Sequence, residues 1–224
     1  MTTPTGSGPW WLVLIAVLAG AALGGWLRRE LISGGYRLDD EWDRPLHRHS
    51  WLIVVLVPLV WGLLAWRVGG ADTILALAPL LLVGFSGVAL AWIDVDVHRL
   101  PHGLTYPTAA GAFALVVVAS ALSGGWLGLG RALASGVAAY LVLLLLALLS
   151  RGQFGLGDVT VGGILGLTLG HLDVRMPWLG LALAFVISGL VSVVGLATRR
   201  LTLRTDLAFG PYLLVGALVA VLLG

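Results

Sequence analysis

Long apolar segments separated by short polar connections constrain the fold of this chain more than any other feature. Most are close to the roughly 20 residues of helix that cross the ~30 Å hydrocarbon core of a bilayer. The 224 residues are 59% hydrophobic and 11% charged, which leaves too little charge to cover the surface of a soluble domain. The pattern predicts an all-α, polytopic transmembrane helix bundle.

About eight spans can be marked, and the sixth is short and glycine-rich, so we expect it to be tilted or packed inside the bundle. The predicted spans are 10–27, 51–68, 73–93, 104–123, 129–149, 159–170, 178–197 and 207–223. Residues 1–9 carry no basic residue, unlike the start of a signal peptide, so the first segment is expected to remain as a span. We divide the chain into residues 1–50, a first helix with a polar loop, and residues 51–224, a membrane-embedded domain.

The placement of arginine predicts the orientation of the bundle. With the N-terminus outside, ten arginines fall on the cytoplasmic side and three on the other, which agrees with the positive-inside rule. The ten are Arg28, Arg29, Arg37, Arg44, Arg48, Arg99, Arg151, Arg199, Arg200 and Arg204, and the three are Arg67, Arg131 and Arg175. We therefore expect an inner-membrane protein with both termini outside and the polar loop 28–50 in the cytoplasm.

Composition excludes several kinds of chemistry. The chain has no cysteine, so it has no disulfide, thiolate zinc site or cysteine nucleophile. A net charge of only +2 argues against a nucleic-acid partner. His47 and His49 in the polar loop are more typical of solvated residues than of a metal site, and we predict no metal. The glycines at four-residue spacings are typical of close helix packing rather than chemistry; they are Gly20, Gly24, Gly162, Gly166 and Gly170.

Three acidic residues at the edges of spans are the candidates for chemistry, because such residues are costly in a membrane and are often functional. Asp94 and Asp96 close the third span and Asp158 opens the sixth, all on the predicted cytoplasmic side. Asp94 and Asp96 lie about 200° apart around a helix. Only one of them can therefore face Asp158, and the other should face solvent or another group.

A pair of neighbouring carboxylates can perform hydrolysis without a metal. Like charges held together favour a state in which the pair shares one proton. One carboxylate can then activate water while the other protonates the carbonyl or the leaving amine, as in aspartic proteases. The alternative is that Asp94 and Asp158 form only caps or salt bridges, since an acid such as Asp158 near a helix N-terminus is favoured in any protein.

Three short motifs resemble those of the prepilin peptidase family. Residues 93–101 resemble the first motif, in which a Leu-Pro follows the aspartate at six and seven residues, and this spacing selects Asp94 over Asp96. Residues 155–158 match the GxGD motif, which places the second aspartate at a helix start. Residues 209–212 resemble a Phe-Gly-Pro segment of the last helix, and the resemblance covers roughly residues 73–224.

The resemblance implies an aspartic endopeptidase with Asp94 and Asp158 as the catalytic pair. It would remove the short basic leader of type IV pilin-like precursors at the cytoplasmic face. The implied partners are a prepilin or pseudopilin membrane helix and the lipid bilayer, with no particular oligomeric state indicated. The residues expected to bind substrate or support the motifs are Asp96, Arg99, Pro101, Gly155, Gly157, Gly210 and Pro211. Among these, Asp96 is expected to be solvated and Arg99 to contact headgroups or the substrate.

The sequence departs from the family pattern at several points. His102 stands where an Asp or Asn is usual, and Thr160 where a lysine is usual. The paired CxxC motifs that bind zinc in many bacterial members are absent from the first loop. Proteolysis is expected to need no cofactor, and S-adenosylmethionine is expected only if the chain also N-methylates the new N-terminus.

Other classes of function remain as alternatives from the sequence. A small transporter or channel would use interfacial acids, although such proteins favour charges near the midplane and repeated halves. Presenilin-like intramembrane proteases share GxGD, but their Tyr-Asp and Pro-Ala-Leu motifs are not found in suitable places. A membrane scaffold would leave the three ordered motifs without an explanation.

Overall fold

The computed structural model describes residues 8–41, 49–71, 73–150, 155–200, 202 and 208–224. Within these ranges the chain forms eight α-helices and one 3₁₀ turn, Asp39–Glu41, and no strand. The helices are α1 (Trp10–Ile32), α2 (Trp51–Val68), α3 (Ile74–Val97), α4 (His102–Ser123), α5 (Trp126–Leu149), α6 (Leu156–Leu172), α7 (Met176–Ala197) and α8 (Gly210–Leu223). His47 and the predicted start of the last span at Leu207 lie outside the described residues.

The prediction of an all-α membrane bundle is confirmed. Six of the described helices are long and apolar enough to cross a bilayer. The two shorter ones, α6 and α8, have 17 and 14 residues. At 1.5 Å per residue they are about 26 and 21 Å long, less than the ~30 Å hydrocarbon core.

Helices extend beyond the predicted spans where the chain enters the membrane interface. Helix α1 continues to Ile32, so Arg28 and Arg29 are helical rather than part of the loop. Helix α3 continues to Val97 and includes both of its terminal aspartates. Hydropathy marks only the apolar part of a span. The helix itself can continue beyond that part, as long as its polar side chains find water or another partner.

Helix α6 lies at the centre of the bundle. It packs most extensively on α5 and also contacts α3, α4, α7 and α8. Its buried residues run from Asp158 to Gly170. The prediction that the sixth span is packed inside the bundle is therefore confirmed, and its apolar character on every side follows from that position.

The spaced glycines allow close helix approach, as predicted. A Cβ atom added at Gly166 of α6 would lie 2.7 Å from the backbone oxygen of Ser135 in α5. A Cβ added at Gly20 of α1 would lie 2.8 Å from the Cα of Pro58 in α2. Larger side chains at these positions would force the helix backbones apart.

Antiparallel neighbours bring several helix termini to one end of the bundle. Helices α1 and α2, α5 and α6, and α7 and α8 form tightly packed sequential pairs. The C-terminal ends of α1 and α3 and the N-terminal ends of α2, α4, α6 and α8 therefore meet at the same end. We call this the site end of the bundle.

Candidate active site

The two predicted catalytic aspartates occupy opposite kinds of helix terminus. Asp94 lies in the last turn of α3, which ends at His98 in the left-handed conformation, with φ 56°. The backbone N–H of His98 donates to the carbonyl oxygen of Asp94 at 2.9 Å and closes that turn. Asp158 is the third residue of α6, whose N-cap is Gly155. Both carboxylates are buried, with 6% and 7% of each residue exposed.

Gly210 brings the two carboxylates to one point. Its backbone N–H donates to Oδ2 of Asp94 at 3.1 Å. A Cβ added at Gly210 would lie 2.9 Å from Oδ2 of Asp94 and 3.5 Å from Oδ1 of Asp158. The two oxygens therefore flank the same small space and can be no farther apart than the sum of those distances. Asp94 and Asp158 therefore meet at one end of the bundle, as their positions in the sequence predict.

One carboxylate oxygen of the pair has no partner among the described residues. Oδ1 of Asp158 is buried and makes no hydrogen bond within that part of the chain. Buried polar atoms in proteins are normally hydrogen-bonded, so an unpartnered one needs an explanation. Because this oxygen faces the space beside Gly210, it is available to a water molecule or a peptide group in that space.

The motif residues around the pair contact one another across helices. A Cβ added at Gly157 would lie 2.7 Å from the Cβ of Leu100. The glycine therefore allows the first turn of α6 to pack against Leu100, in the connection between α3 and α4. Pro101 is the N-cap of α4, and its carbonyl accepts from the N–H groups of the first turn. The carbonyl of Gly155 accepts from the N–H of Asp158 at 3.1 Å. These contacts fix the backbone on both sides of the carboxylates.

Asp96 is not a solvated neighbour, and that prediction is wrong. Its residue exposure is 7%. Its carboxylate accepts from Nε and Nη2 of Arg37 at 2.9 and 2.7 Å and from the hydroxyl of Tyr36 at 2.7 Å. Residues 36–41, which follow α1, fold back over the end of α3 and exclude water from this carboxylate. As predicted, Asp94 and Asp96 face different partners.

Arg99 also binds the segment 36–41. Its Nε and Nη2 donate to the two carboxylate oxygens of Glu41 at 2.8 and 2.7 Å. Nη2 also donates to the backbone oxygen of Tyr36 at 2.6 Å. Arg99 thus connects the motif to this loop segment, and its contact with headgroups or substrate stays a prediction.

Tyr36, Arg37 and Glu41 were not among the residues predicted to support the site. The only sequence feature that points to them is the mixture of acids and arginines in the polar loop. Burial raises the pKa of Tyr36 above its usual value, and its hydrogen bond to Asp96 raises it further. The same carboxylate raises the pKa of Arg37 through its hydrogen bonds. Both side chains therefore keep their protons around Asp96.

An apolar groove leads from the site end along the membrane-spanning face of α2, α3 and α8. Its volume is about 480 Å³. Its lining includes Leu56, Ala91, Trp92, Pro211 and Leu214. Pro211 directly follows Gly210, so part of the groove wall adjoins the residue that contacts the carboxylate pair. Its walls suit an apolar chain or helix rather than a polar ligand.

The fold and the site together define a polytopic helical membrane protein with two buried carboxylates at one end of its bundle. Residues 81–222 match the model of the type IV leader peptidase family, and the chain belongs to that family. The matched region holds all three motifs. This confirms the family that the motifs resemble.

A relative from Pseudomonas putida, a prepilin leader peptidase/N-methyltransferase, is 32% identical to this chain over 177 residues. The aligned region covers 77% of this chain and 58% of that protein. The chain thus spans less than two thirds of the length of this curated relative. No solved structure matches the chain.

The geometry predicts that Gly210→Ala impairs the site. The added methyl would occupy the space between the carboxylates, 2.9 Å from Oδ2 of Asp94. We expect peptidase turnover to fall by roughly 10–100-fold, the effect of an ångström-scale displacement of catalytic groups. The matched control is Gly189→Ala, where a Cβ meets no atom within 4 Å. Equal turnover of the two variants in a leader-removal assay would contradict this geometry.

Proposed function

We propose that the protein is a membrane aspartic endopeptidase that removes the leader of type IV pilin-like precursors. The observation that carries the proposal is that Asp94 and Asp158 present carboxylate oxygens to the same point beside Gly210. Membership of the type IV leader peptidase family supports peptide hydrolysis as the reaction. The similarity to the Pseudomonas putida prepilin leader peptidase/N-methyltransferase supports prepilin as the substrate class.

The chemistry follows from a proton shared by the pair. The anionic carboxylate takes a proton from water as the water oxygen attacks the scissile carbonyl carbon, while the protonated carboxyl donates to the carbonyl oxygen. The tetrahedral intermediate then collapses and the C–N bond breaks: the leaving amine takes the proton from the pair, and one hydroxyl of the intermediate returns a proton to it. The two carboxylates perform every proton transfer in these steps and water is the nucleophile, so the proposed reaction needs no cofactor.

Cleavage is proposed to occur at the cytoplasmic face of the inner membrane. The site end carries Arg28, Arg29, Arg99, Arg199 and Arg200 at or beside its helix termini. Arginine enrichment at one end is typical of the cytoplasmic side. A leader that has not crossed the membrane would meet the carboxylates there.

The substrate is proposed to approach from the bilayer, with its hydrophobic helix in the groove of α2, α3 and α8. The groove has an apolar lining that includes Pro211, next to Gly210. A helix seated there would present its cytoplasmic end at the height of the carboxylates. A glycine at the cleavage site would allow the helix to open, since a helical backbone hides its carbonyl carbons from attack.

Asp94→Asn and Asp158→Asn are each expected to abolish leader removal, because either change removes the shared proton of the pair. Each variant keeps the size of the side chain, so insertion into the membrane should be unchanged. The measurement is co-expression with a type IV prepilin, read by gel mobility and by N-terminal sequencing of the product. Asp173→Asn, at the opposite end of the bundle, is the matched control. Normal processing by either site variant would rule out the proposed catalytic pair.

Filling the groove should impair substrate binding without changing the carboxylates. Ala91→Phe places a ring in the groove lining, and we expect a several-fold higher KM with little change in kcat, the pattern of lost uniform binding. The control is Ala110→Phe on the exposed surface of α4. Unchanged kinetics for both variants would place the substrate helix elsewhere.

A further inference from the structure

The last turn of α3, which carries Asp94, has few backbone hydrogen bonds to hold it in place. Helix termini lack the full set of backbone hydrogen bonds and fray more readily than helix interiors. This terminus is closed by a non-glycine residue, His98, in the left-handed conformation. Asp94 lies only three residues before the end of α3 at Val97. Contacts outside the helix are therefore needed to keep its carboxylate in one orientation.

The turn is held on two faces by different partners. On the face toward α6 and α8, Asp94 accepts from the N–H of Gly210. On another face, Asp96 accepts two hydrogen bonds from Arg37 and one from Tyr36. Side chains two positions apart on a helix point about 200° apart. A force that holds Asp96 therefore also opposes rotation of Asp94 away from Asp158.

The Arg37–Asp96 contact is specific in orientation as well as attractive. A guanidinium that donates through two of its nitrogens to one carboxylate fixes the plane of both groups. Each side chain is 2% exposed, although the pair lies at the end of the bundle and not deep within it. Covered ion pairs often add little stability compared with apolar residues of the same size. Compared with an apolar contact, this pair also fixes the orientation of the Asp96 carboxylate relative to the Arg37 guanidinium.

We propose that Arg37 and Asp96 are a positioning pair, which sets the orientation of the last turn of α3 so that Asp94 meets Asp158 beside Gly210. Asp96 is then a positioning residue and not a catalytic one. The segment 36–41 performs this role. The chain has no cysteine, so cysteine-bound zinc cannot hold this loop in place. The inference rests on the proposed function only for its kinetic readout.

The test separates positioning from stability by comparing one variant with a double variant. Arg37→Met leaves the Asp96 carboxylate covered and uncompensated, so both Tm in detergent and turnover should fall. Arg37→Met with Asp96→Leu removes both charges, and its Tm should return toward that of the wild type. Its kcat should remain roughly 10–100-fold low. Its KM should stay within about two-fold of the wild-type value.

A labelling readout tests the same proposal without requiring enzyme activity. The chain has no cysteine, so Asp94→Cys provides a single thiol. In the Arg37→Met/Asp96→Leu background, a water-soluble methanethiosulfonate should modify Cys at position 94 several-fold faster, since the turn is no longer held. Arg131→Met, at the opposite end, is the control background and should leave the rate unchanged. Faster labelling, together with failure of the wild-type protein to cleave prepilin, would support the positioning pair and reject the proposed function.

Recovery of both Tm and kcat in the double variant, with an unchanged labelling rate, would overturn the proposal and leave the pair a purely structural contact. Arg37→Lys covers the case in which the double variant does not fold. This variant keeps the positive charge but loses the planar guanidinium that donates through two nitrogens to Asp96. Tm should therefore be retained while kcat falls to an intermediate value. Full kcat for Arg37→Lys would equally contradict a role in orientation.

Discussion

The close approach of three helix termini at Gly210 is the constraint on which the site depends. The absence of a side chain there lets the N–H of Gly210 reach Oδ2 of Asp94 at 3.1 Å and leaves Oδ1 of Asp158 facing the same space. Gly157 permits a second close contact, between the first turn of α6 and Leu100. The glycines of the motifs are thus packing residues, and their effect is to place two acids from distant parts of the sequence side by side.

The lengths of the helices are connected to the position of the site. Helices α6 and α8, which supply Asp158 and Gly210, are about 26 and 21 Å long and are shorter than their neighbours. Both begin at the site end, where the 36–41 segment covers one side of α3 and the apolar groove opens on another. This arrangement fits the proposed cleavage of a membrane-anchored peptide, because the carboxylates lie at one end of the bundle beside an apolar groove.

The helices and the candidate aspartates could be predicted, because both depend on residues that are close together in the sequence. Apolar segment lengths give the helices, and motif spacing selects Asp94 and Asp158 because each lies at a defined helix terminus. The role of Asp96 could not be predicted in this way. Its partner Arg37 is 59 residues away, in a polar loop whose composition indicates solvation, and only the folding of 36–41 over α3 creates the contact. The early end predicted for α1 has a similar cause, since hydropathy falls at Arg28 and Arg29 while helical hydrogen bonding continues.

Chemical cross-linking of positions 94 and 158 in the membrane tests most directly whether the two carboxylates meet. The chain has no native cysteine, so Asp94→Cys/Asp158→Cys introduces one defined pair of thiols. A short bifunctional methanethiosulfonate should join both thiols within one molecule and give the mass of a single linker in the intact protein. The Asp94→Cys/Asp173→Cys pair, at opposite ends of the bundle, should take up two separate linkers. Two separate linkers on the 94/158 pair as well would show that the carboxylates do not meet, and the account would be wrong.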